Sequence, residues 1–449
     1  MTRDLVFFAL GNALVLAAGH GALRLVGIRP RAADLPWSLA LAYVAGAGVV
    51  GVLGSAVLVA GFELSSWQIG LGCLAVLLAG ALRRGGRPPA AGERWDRWSR
   101  ALLVGALVVL AVLTVDLAGQ PVWSDDAWSI WSAKANSIVL LGGLDAGYLE
   151  SESVFSANYP LVVPVLELVA NRFCGVPNEL IPLQLGLLFL AFPFALVALL
   201  RSHARPFVLA VTALVATAAP TLQIQTASAV ADVPLAVFFA LSGVAAWLWI
   251  DDGGDEHLWL AGLFAAAAVG TKVEGALLVG ILAVGVCIWT VRRRRPLRGP
   301  ALVAAAVVAS AVPWEVWWRM HSLGSAVSDA GGFDLEALGG TSRVPRAAEA
   351  LTRELVDPTS WLALVGLVAL SAVFGLRRPP MRDAALFTIF VVMTALATLL
   401  VIYWVTPLDF DYHVATSVRR VVTAPVVFGL AMTPLLLSSG TRDRAQPPR

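Results

Sequence analysis

The chain has 449 residues, 58% of them hydrophobic and 14% charged, with a formal net charge of +2. A soluble domain carries about 25% charged residues, so an ordinary soluble fold is excluded, and nothing in this balance points to a nucleic-acid partner. Apolar runs of roughly 18 residues or more recur along the chain, each long enough to cross about 30 Å of hydrocarbon, and the alternating segments of a β-barrel are absent.

The expected fold is an all-α polytopic membrane protein. About thirteen spans are expected, near 5–23, 37–61, 67–82, 101–118, 180–200, 207–220, 228–250, 258–271, 275–291, 301–318, 360–376, 384–404 and 421–438. The first follows the charged start Thr2-Arg3-Asp4 without a small-residue cleavage site, and is expected to be retained. The runs at 207–220 and 258–271 are short and call for tilt or thinned lipid. Cys73, Cys174 and Cys287 are scattered and make no disulfide or zinc framework.

Lysine and arginine in the short loops set the orientation. Arg83, Arg84, Arg87, Arg94, Arg97 and Arg100 make one basic loop; Arg201 and Arg205, Arg292–Arg295 with Arg298, and Arg377, Arg378 and Arg382 make three more. All four fall on one side, which is therefore assigned to the cytoplasm, and the tail with Arg442 and Arg444 joins them. The acidic loop Asp251–Glu256 lands on that side too and fits it poorly. The other side receives the long loops 119–179 and 319–359, the segment 405–418, and the turns near 221–227 and 272–274. The Ala, Gly and Arg bias is that of a bacterial chain, so the expected home is the bacterial inner (plasma) membrane.

Loop 119–179 is net acidic, with Asp125, Asp126, Asp145, Glu150, Glu152, Glu167 and Glu179 against Lys134 and Arg172. Its opening stretch follows directly on a span. Ser124 stands where an N-cap would, ahead of Asp125 and Asp126. Trp128, Trp131 and Ala135 then share one face of an interfacial amphipathic helix. Two carboxylates in a first helical turn meet the positive end of the helix dipole, which favours the ionised form that a proton acceptor or cation ligand needs. Neighbouring helical residues point about 100° apart, so one acid can take a proton while the other orients an acceptor or holds a metal. The plain alternative is a pair of solvated helix-start acids. Trp128 joins the candidate substrate site.

Further along, Asn158 and Tyr159 precede Pro160, either lining a site or interrupting a helix in a short extended piece. Asp232, two residues before Pro234, either caps the next span or binds a substrate hydroxyl. Lys272 and Glu274 lie in a turn between two apolar runs, where charge is expensive unless paired or wet. They either meet a phosphate or make a polar hairpin. Arg319 follows an aromatic belt, Trp314–Trp318, and can snorkel to the interface. His413, Arg419 and Arg420 lie before the last span. Two arginines on the non-cytoplasmic side run against the usual bias, and bound phosphate offsets that cost through two-point contact. The alternative is a charged helix cap.

The order of these motifs resembles the GT-C superfamily of integral-membrane glycosyltransferases, in the branch of protein O-mannosyltransferases and aminoarabinose transferases. A span leading to an acidic pair (Asp125-Asp126), a proline segment (Asn158-Tyr159-Pro160), an acid before proline (Asp232-Val-Pro234) and a lysine turn (Lys272-Val-Glu274) carry the likeness. It covers 101–320 well and 405–425 loosely. The resemblance divides the chain into extra N-terminal transmembrane helices at 1–82, a catalytic core at 101–320 with the extracytoplasmic loop 119–179, a second extracytoplasmic loop at 321–359, and C-terminal helices at 360–438. Three spans precede the one that normally comes first in the family, a departure from its pattern.

The resemblance implies a hexosyl- or pentosyltransferase working outside the cytoplasm. The donor would be a sugar on a polyprenyl phosphate, the acceptor a lipid, glycan or protein hydroxyl, with membrane lipids around both. Transfer would be an inverting single displacement, with Asp125 or Asp126 as base and Arg and Lys stabilising the leaving phosphate. Family members differ in whether they use a divalent metal. If one binds here, Mg or Mn, Asp125 and Asp126 are its candidate ligands. The competing expectations are a transporter or flippase of lipid-linked sugars, a polysaccharide ligase or polymerase, and a non-catalytic assembly subunit.

Overall fold

The structure is a computed structural model that describes residues 2–29, 34–86, 92–151, 156–175, 178–324 and 342–438. Glu152, Arg87, the tail arginines Arg442 and Arg444, and loop residues 325–341 lie outside the described residues. Those described form helices and turns and contain no β-strand.

In chain order the helices are α1 (Thr2–Val26), α2 (Leu35–Val59), α3 (Ser66–Leu82) and α4 (Arg97–Leu117). After a π-helical turn (Ala127–Ser132) come α5 (Ala133–Leu141), α6 (Ala146–Glu150) and α7 (Val162–Cys174). Then follow α8 (Ile181–Leu200), α9 (Pro206–Ala218), α10 (Pro220–Ala227), α11 (Asp232–Asp252), α12 (Asp255–Thr271), α13 (Val273–Arg292) and α14 (Arg298–Met320). The last are α15 (Arg343–Val356), α16 (Pro358–Trp361), α17 (Leu364–Arg377), α18 (Arg382–Trp404), α19 (Phe410–Val421) and α20 (Thr423–Leu437).

Among the described residues, nine helical stretches are long and apolar enough to cross a membrane, and α19 with α20 counts as one of them. Every expected span finds a helix, but four fall short. α3 and α12 have 17 residues each, α17 has 14 and α9 has 13. α9 also bends by 53° into α10. The break falls at Ala219, before Pro220, whose ring disfavours helix in the residue ahead of it.

α11 is the axis of the bundle: its apolar window is wholly buried, against 11% for α14 and 22% for α4 at the periphery. It packs on α12, α20, α8 and α13. Lipid tails are as apolar as leucine, so helices in a bilayer associate through close packing and polar contacts. Close packing joins the first two helices to each other, and polar contacts join them to the rest. Gly19 of α1 and Gly46 of α2 lie where a Cβ would strike the other helix's backbone, at Ala42 and Val15. Asn12 Nδ2 donates to Gln184 Oε1 at 2.9 Å, while Tyr43 Oη and Gln184 Nε2 donate to Asn12 Oδ1 at 2.8 and 3.2 Å, joining α1, α2 and α8.

The polar contacts separate into two ends. At one, Arg29 reaches the Arg83 carbonyl (3.2 Å), Arg201 pairs with buried Asp34, and Arg292 and Arg293 hold Asp383 at 3.1 and 2.9 Å. The acidic loop that fitted poorly is neutralised here. Asp255 meets Arg298 at 2.8 Å, Asp252 meets His203 at 2.7 Å, and Arg295 caps the Ile250 and Asp251 carbonyls at 3.0 and 2.7 Å. At the other end, Arg172 meets Glu63 (3.3 Å) and the carbonyls of Leu64 and Ile138 (3.0 and 3.2 Å), and Arg343 meets the Thr406 carbonyl (2.9 Å). The basic loops and the acidic pair thus occupy opposite ends. With the native cysteines replaced, a membrane-impermeant thiol reagent is expected to label Arg84→Cys from one side only and Trp123→Cys from the other. Labelling of both from the same side would overturn the two-ended arrangement.

Candidate functional site

Asp232 begins α11 and is 3% exposed, as is Lys272. Lys272 is the single non-helical residue between α12 and α13, with φ −154° and ψ 152°. That extended geometry ends one helix and starts the next without a loop. Gly275 permits it, because a Cβ there would collide with the Ala268 carbonyl at the end of α12. Lys272 Nζ reaches Asp232 Oδ1 at 2.8 Å and Glu274 Oε1 at 3.1 Å. Burial lowers the pKa of Lys272, but the facing carboxylates of Asp232 and Glu274 more than reverse this and hold it above the usual lysine value.

Arg420, in the last turn of α19, completes the arrangement. Its Nε donates to Asp232 Oδ2 at 3.1 Å and its Nη1 pairs with Asp126. Gln225 of α10 steadies this turn, donating to Thr423 Oγ1 at 2.9 Å and to the Arg419 carbonyl at 3.3 Å. The result is an alternating row: Asp126, Arg420, Asp232, Lys272, Glu274. The contacts of Arg420 to Asp232 and Asp126 run through Nε and Nη1, and Glu274 Oε2 is buried without a partner among the described residues. Behind the row lies a narrow, partly open crevice with room for about one water, whose remaining walls are Leu235, Leu277, Leu278, Ala395, Leu399, Val421 and Ala424.

The acidic pair divides. Asp126 is tied into the row, whereas Asp125 is exposed and its carboxylate meets no described residue. The two start a helix that at once widens into the π-turn Ala127–Ser132. Ser124 contributes its carbonyl, accepting from Trp128 N at 2.9 Å, and no side-chain cap. The wider turn breaks the expected face. Trp128 is 54% exposed, while Trp131 is 1% exposed and Ala135 fully buried. π-turns inside helices recur at functional sites.

Asn158 and Tyr159 belong to a turn, closed by Tyr159 N donating to the Ser156 carbonyl at 3.1 Å, rather than to an extended piece. Buried Lys134 holds that turn, donating to the carbonyls of Ala157 and Tyr159 at 2.8 and 2.7 Å. With carbonyls and no carboxylate around it, burial lowers its pKa well below the usual value. Tyr159 lies edge-on to Trp131 (5.1 Å), and burial, followed by the charge of Glu274, pushes its hydroxyl pKa up. Its hydroxyl is therefore within electrostatic reach of the row. Asn158 contributes its carbonyl, which accepts from Trp314 Nε1 at 2.8 Å.

Arg419 turns the other way from Arg420, to Glu354 (3.3 Å) and Asp357 (3.9 Å), and so fastens α15 and α16 over this end. His413 is held by its neighbours rather than by the row, with Nδ1 2.8 Å from Thr406 Oγ1 and its ring 5.1 Å from Tyr403. Arg319 is not brought in: 68% exposed, it pairs with Glu315 one turn back. Among the described residues no group of three or more His, Cys, Asp or Glu side chains is placed to hold a metal. Asp125 and Asp126 therefore lack a third such ligand there. Lys134, Gln225 and Tyr403 were not singled out from sequence. A lone lysine in a tryptophan-rich helix and a tyrosine at a span end were the available signals. Comparison with protein-family models, with curated proteins and with solved structures gives no match for this chain.

Proposed function

We propose that the protein is a GT-C-type glycosyltransferase that takes a sugar from a polyprenyl-phosphate donor at the extracytoplasmic face of the bacterial inner membrane. One observation carries this reading. Charged side chains from four separate stretches of chain meet at one end of the bundle, on a crevice that is otherwise apolar. That combination suits an amphipathic ligand with a charged head and a hydrocarbon tail. The narrow crevice would have to widen for the tail, which would then lie along Leu235, Leu277, Leu278 and Leu399. The phosphate would meet Arg420 Nη2, an arginine fork being suited to phosphate oxygens. The free oxygen of Glu274 would accept from a sugar hydroxyl.

Asp125, exposed and uncommitted, is the group able to take a proton. In the proposed step the acceptor oxygen attacks the anomeric carbon and its proton passes to Asp125. The carbon–oxygen bond to phosphate breaks, and the polyprenyl phosphate leaves with the electron pair, its growing charge met by Arg420 and Lys272. Tyr159, fixed by Lys134, would wall the sugar side. No step in this scheme is routed through a metal.

The test is to incubate the purified protein with a panel of polyprenyl-phosphate sugars and analyse the products. New glycoside is the expected result. Movement of intact donor between leaflets without product would favour a flippase, and absence of both would end the reading. Arg420→Ala is expected to weaken donor binding by about 10-fold or more, since a charge-assisted hydrogen bond contributes roughly 1.5–3 kcal/mol. Unchanged affinity, measured by titration with the donor, would remove the phosphate role.

A further inference from the structure

The first three helices are joined along two seams and open along a third. Gly21 of α1 lies where a Cβ would strike the backbone of Val76 and Leu77 in α3, and Gly80 of α3 lies as close to the backbone of Gly21. Gly19 and Gly46 seam α1 to α2 in the same way. α2 and α3 follow one another in the chain yet meet only sparsely. Between them runs a groove of about 90 Å³, open on one side. Leu53 and Val57 of α2 stand on one wall and Ile69, Cys73 and Val76 of α3 on the other, with buried Ala18 of α1 behind them.

Position, depth and polarity define the occupant. Leu53, Leu71 and Leu74 flank the opening and are exposed, so on these apolar helices the groove opens to hydrocarbon rather than to water. It follows α3 from Gln68 to Val76, about 12 Å at 1.5 Å per residue. One leaflet of a bilayer holds about 15 Å of hydrocarbon. The polar end is at Leu64, which lines the groove and whose carbonyl accepts from Arg172 Nε at 3.0 Å, beside the Arg172–Glu63 pair. Gln68 lines the same end. Its Oε1 accepts from Ser65 N and Oγ at 2.7 and 2.6 Å, so the group it offers an occupant is its amide N–H. A donor at the interface above an apolar channel matches an ester carbonyl above its hydrocarbon chain. The groove is smaller than the roughly 150 Å³ cavity that accepts a benzene ring, which suits an unbranched chain better than a methyl-branched isoprenoid.

We propose that the groove between α2 and α3 binds one acyl chain of a phospholipid in the leaflet on the side of the acidic pair, with an ester carbonyl at Gln68. The chain supplies the packing that α2 and α3 do not give each other, since walls facing a void lose their dispersion contacts. No residue of the charged row lines this groove, and the site stands independently of the transferase reading.

A Cβ at Gly72 would meet nothing within 4 Å, so Gly72→Trp can fill the groove without a backbone clash. Gly280 of α13 is equally open and lies outside the groove, which makes Gly280→Trp the matched control. The full-length proteins are washed in mild detergent, given palmitoyl-oleoyl phosphatidylethanolamine and weighed by native mass spectrometry. One retained phospholipid per chain is expected in the parent and in Gly280→Trp, and none in Gly72→Trp. Equal retention in the two variants would overturn the site. Preferential retention of a polyprenyl phosphate offered in the same mixture would overturn the occupant, as would a dimer that Gly72→Trp disperses, which would give the groove to a second copy. Should Gly72→Trp fail to fold, the parent protein decides alone. The same phospholipid with a photoreactive diazirine midway along one chain is expected to mark buried Ile69 or Cys73. Label confined to exposed Leu71, Leu74 and Leu78, which any surrounding lipid reaches, would refute the proposal.

Discussion

Replacing Asp232 by asparagine is expected to destabilise the protein by about 3–5 kcal/mol, the usual result of removing one partner from a buried ion pair. Asp232 is the joint of the row: its two oxygens face Lys272 at 2.8 Å and Arg420 at 3.1 Å. Without its charge, Lys272 keeps only Glu274, whose side chain is 26% exposed and correspondingly screened. Lys272→Met should carry a cost of the same order. The double variant should cost less than the sum, with a coupling of about 0.5–3 kcal/mol, because the carboxylate and the ammonium leave together. Denaturant unfolding of the four proteins in mixed micelles provides the cycle, and strictly additive costs would show that the two charges are not coupled. A buried ion pair confers little stability relative to apolar residues of the same volume. A row of five charged groups at a bundle end is therefore poorly explained as scaffolding, and this supports assigning it to ligand.

The second large effect separates the neighbouring aspartates. Asp125→Asn is expected to reduce sugar transfer by about 10²–10⁴-fold, the contribution of a positioned general base. Donor affinity and unfolding should remain as in the parent protein, because the Asp125 carboxylate is exposed and contacts no described residue. Asp126→Asn should behave differently. Arg420 loses one of its two carboxylates, so donor affinity and thermal stability should change along with the rate. Transfer of labelled sugar, measured beside donor titration and melting, distinguishes the two patterns. A full rate in Asp125→Asn would reassign the base.

The helices were readable from sequence because an apolar run long enough to span a bilayer is nearly a sufficient condition for a helix there. The end at which each polar motif lies follows from span parity, which is why Asp125, Asp126, Asp232, Lys272, Glu274, Arg319, Arg419 and Arg420 can be grouped before any contact is known, although Asp125, Arg319 and Arg419 stand outside the row. Pairing was not readable. Arg419 and Arg420 are adjacent and alike, yet the angle between successive helical residues sends one to Glu354 and the other to Asp232. The π-turn escaped for a related reason. Its register depends on how Trp131 and Ser132 bury against α7, which is a tertiary effect with no local signature. Glu167 looked from sequence like one more surface acid of an acidic loop, and only its surroundings show otherwise.

The amide and hydroxyl cluster of Asn12, Tyr43 and Gln184 bears on how the protein is made. A nascent chain delivers α1 and α2 to the bilayer well before α8, so Gln184 enters hydrocarbon needing partners that are already waiting. Ribosomal synthesis of a version starting at Arg97 would leave that amide facing lipid, where an unmet polar group is costly. The first two helices would thus act as a template during biogenesis, and their removal should show first as failed membrane assembly and degradation rather than as altered turnover.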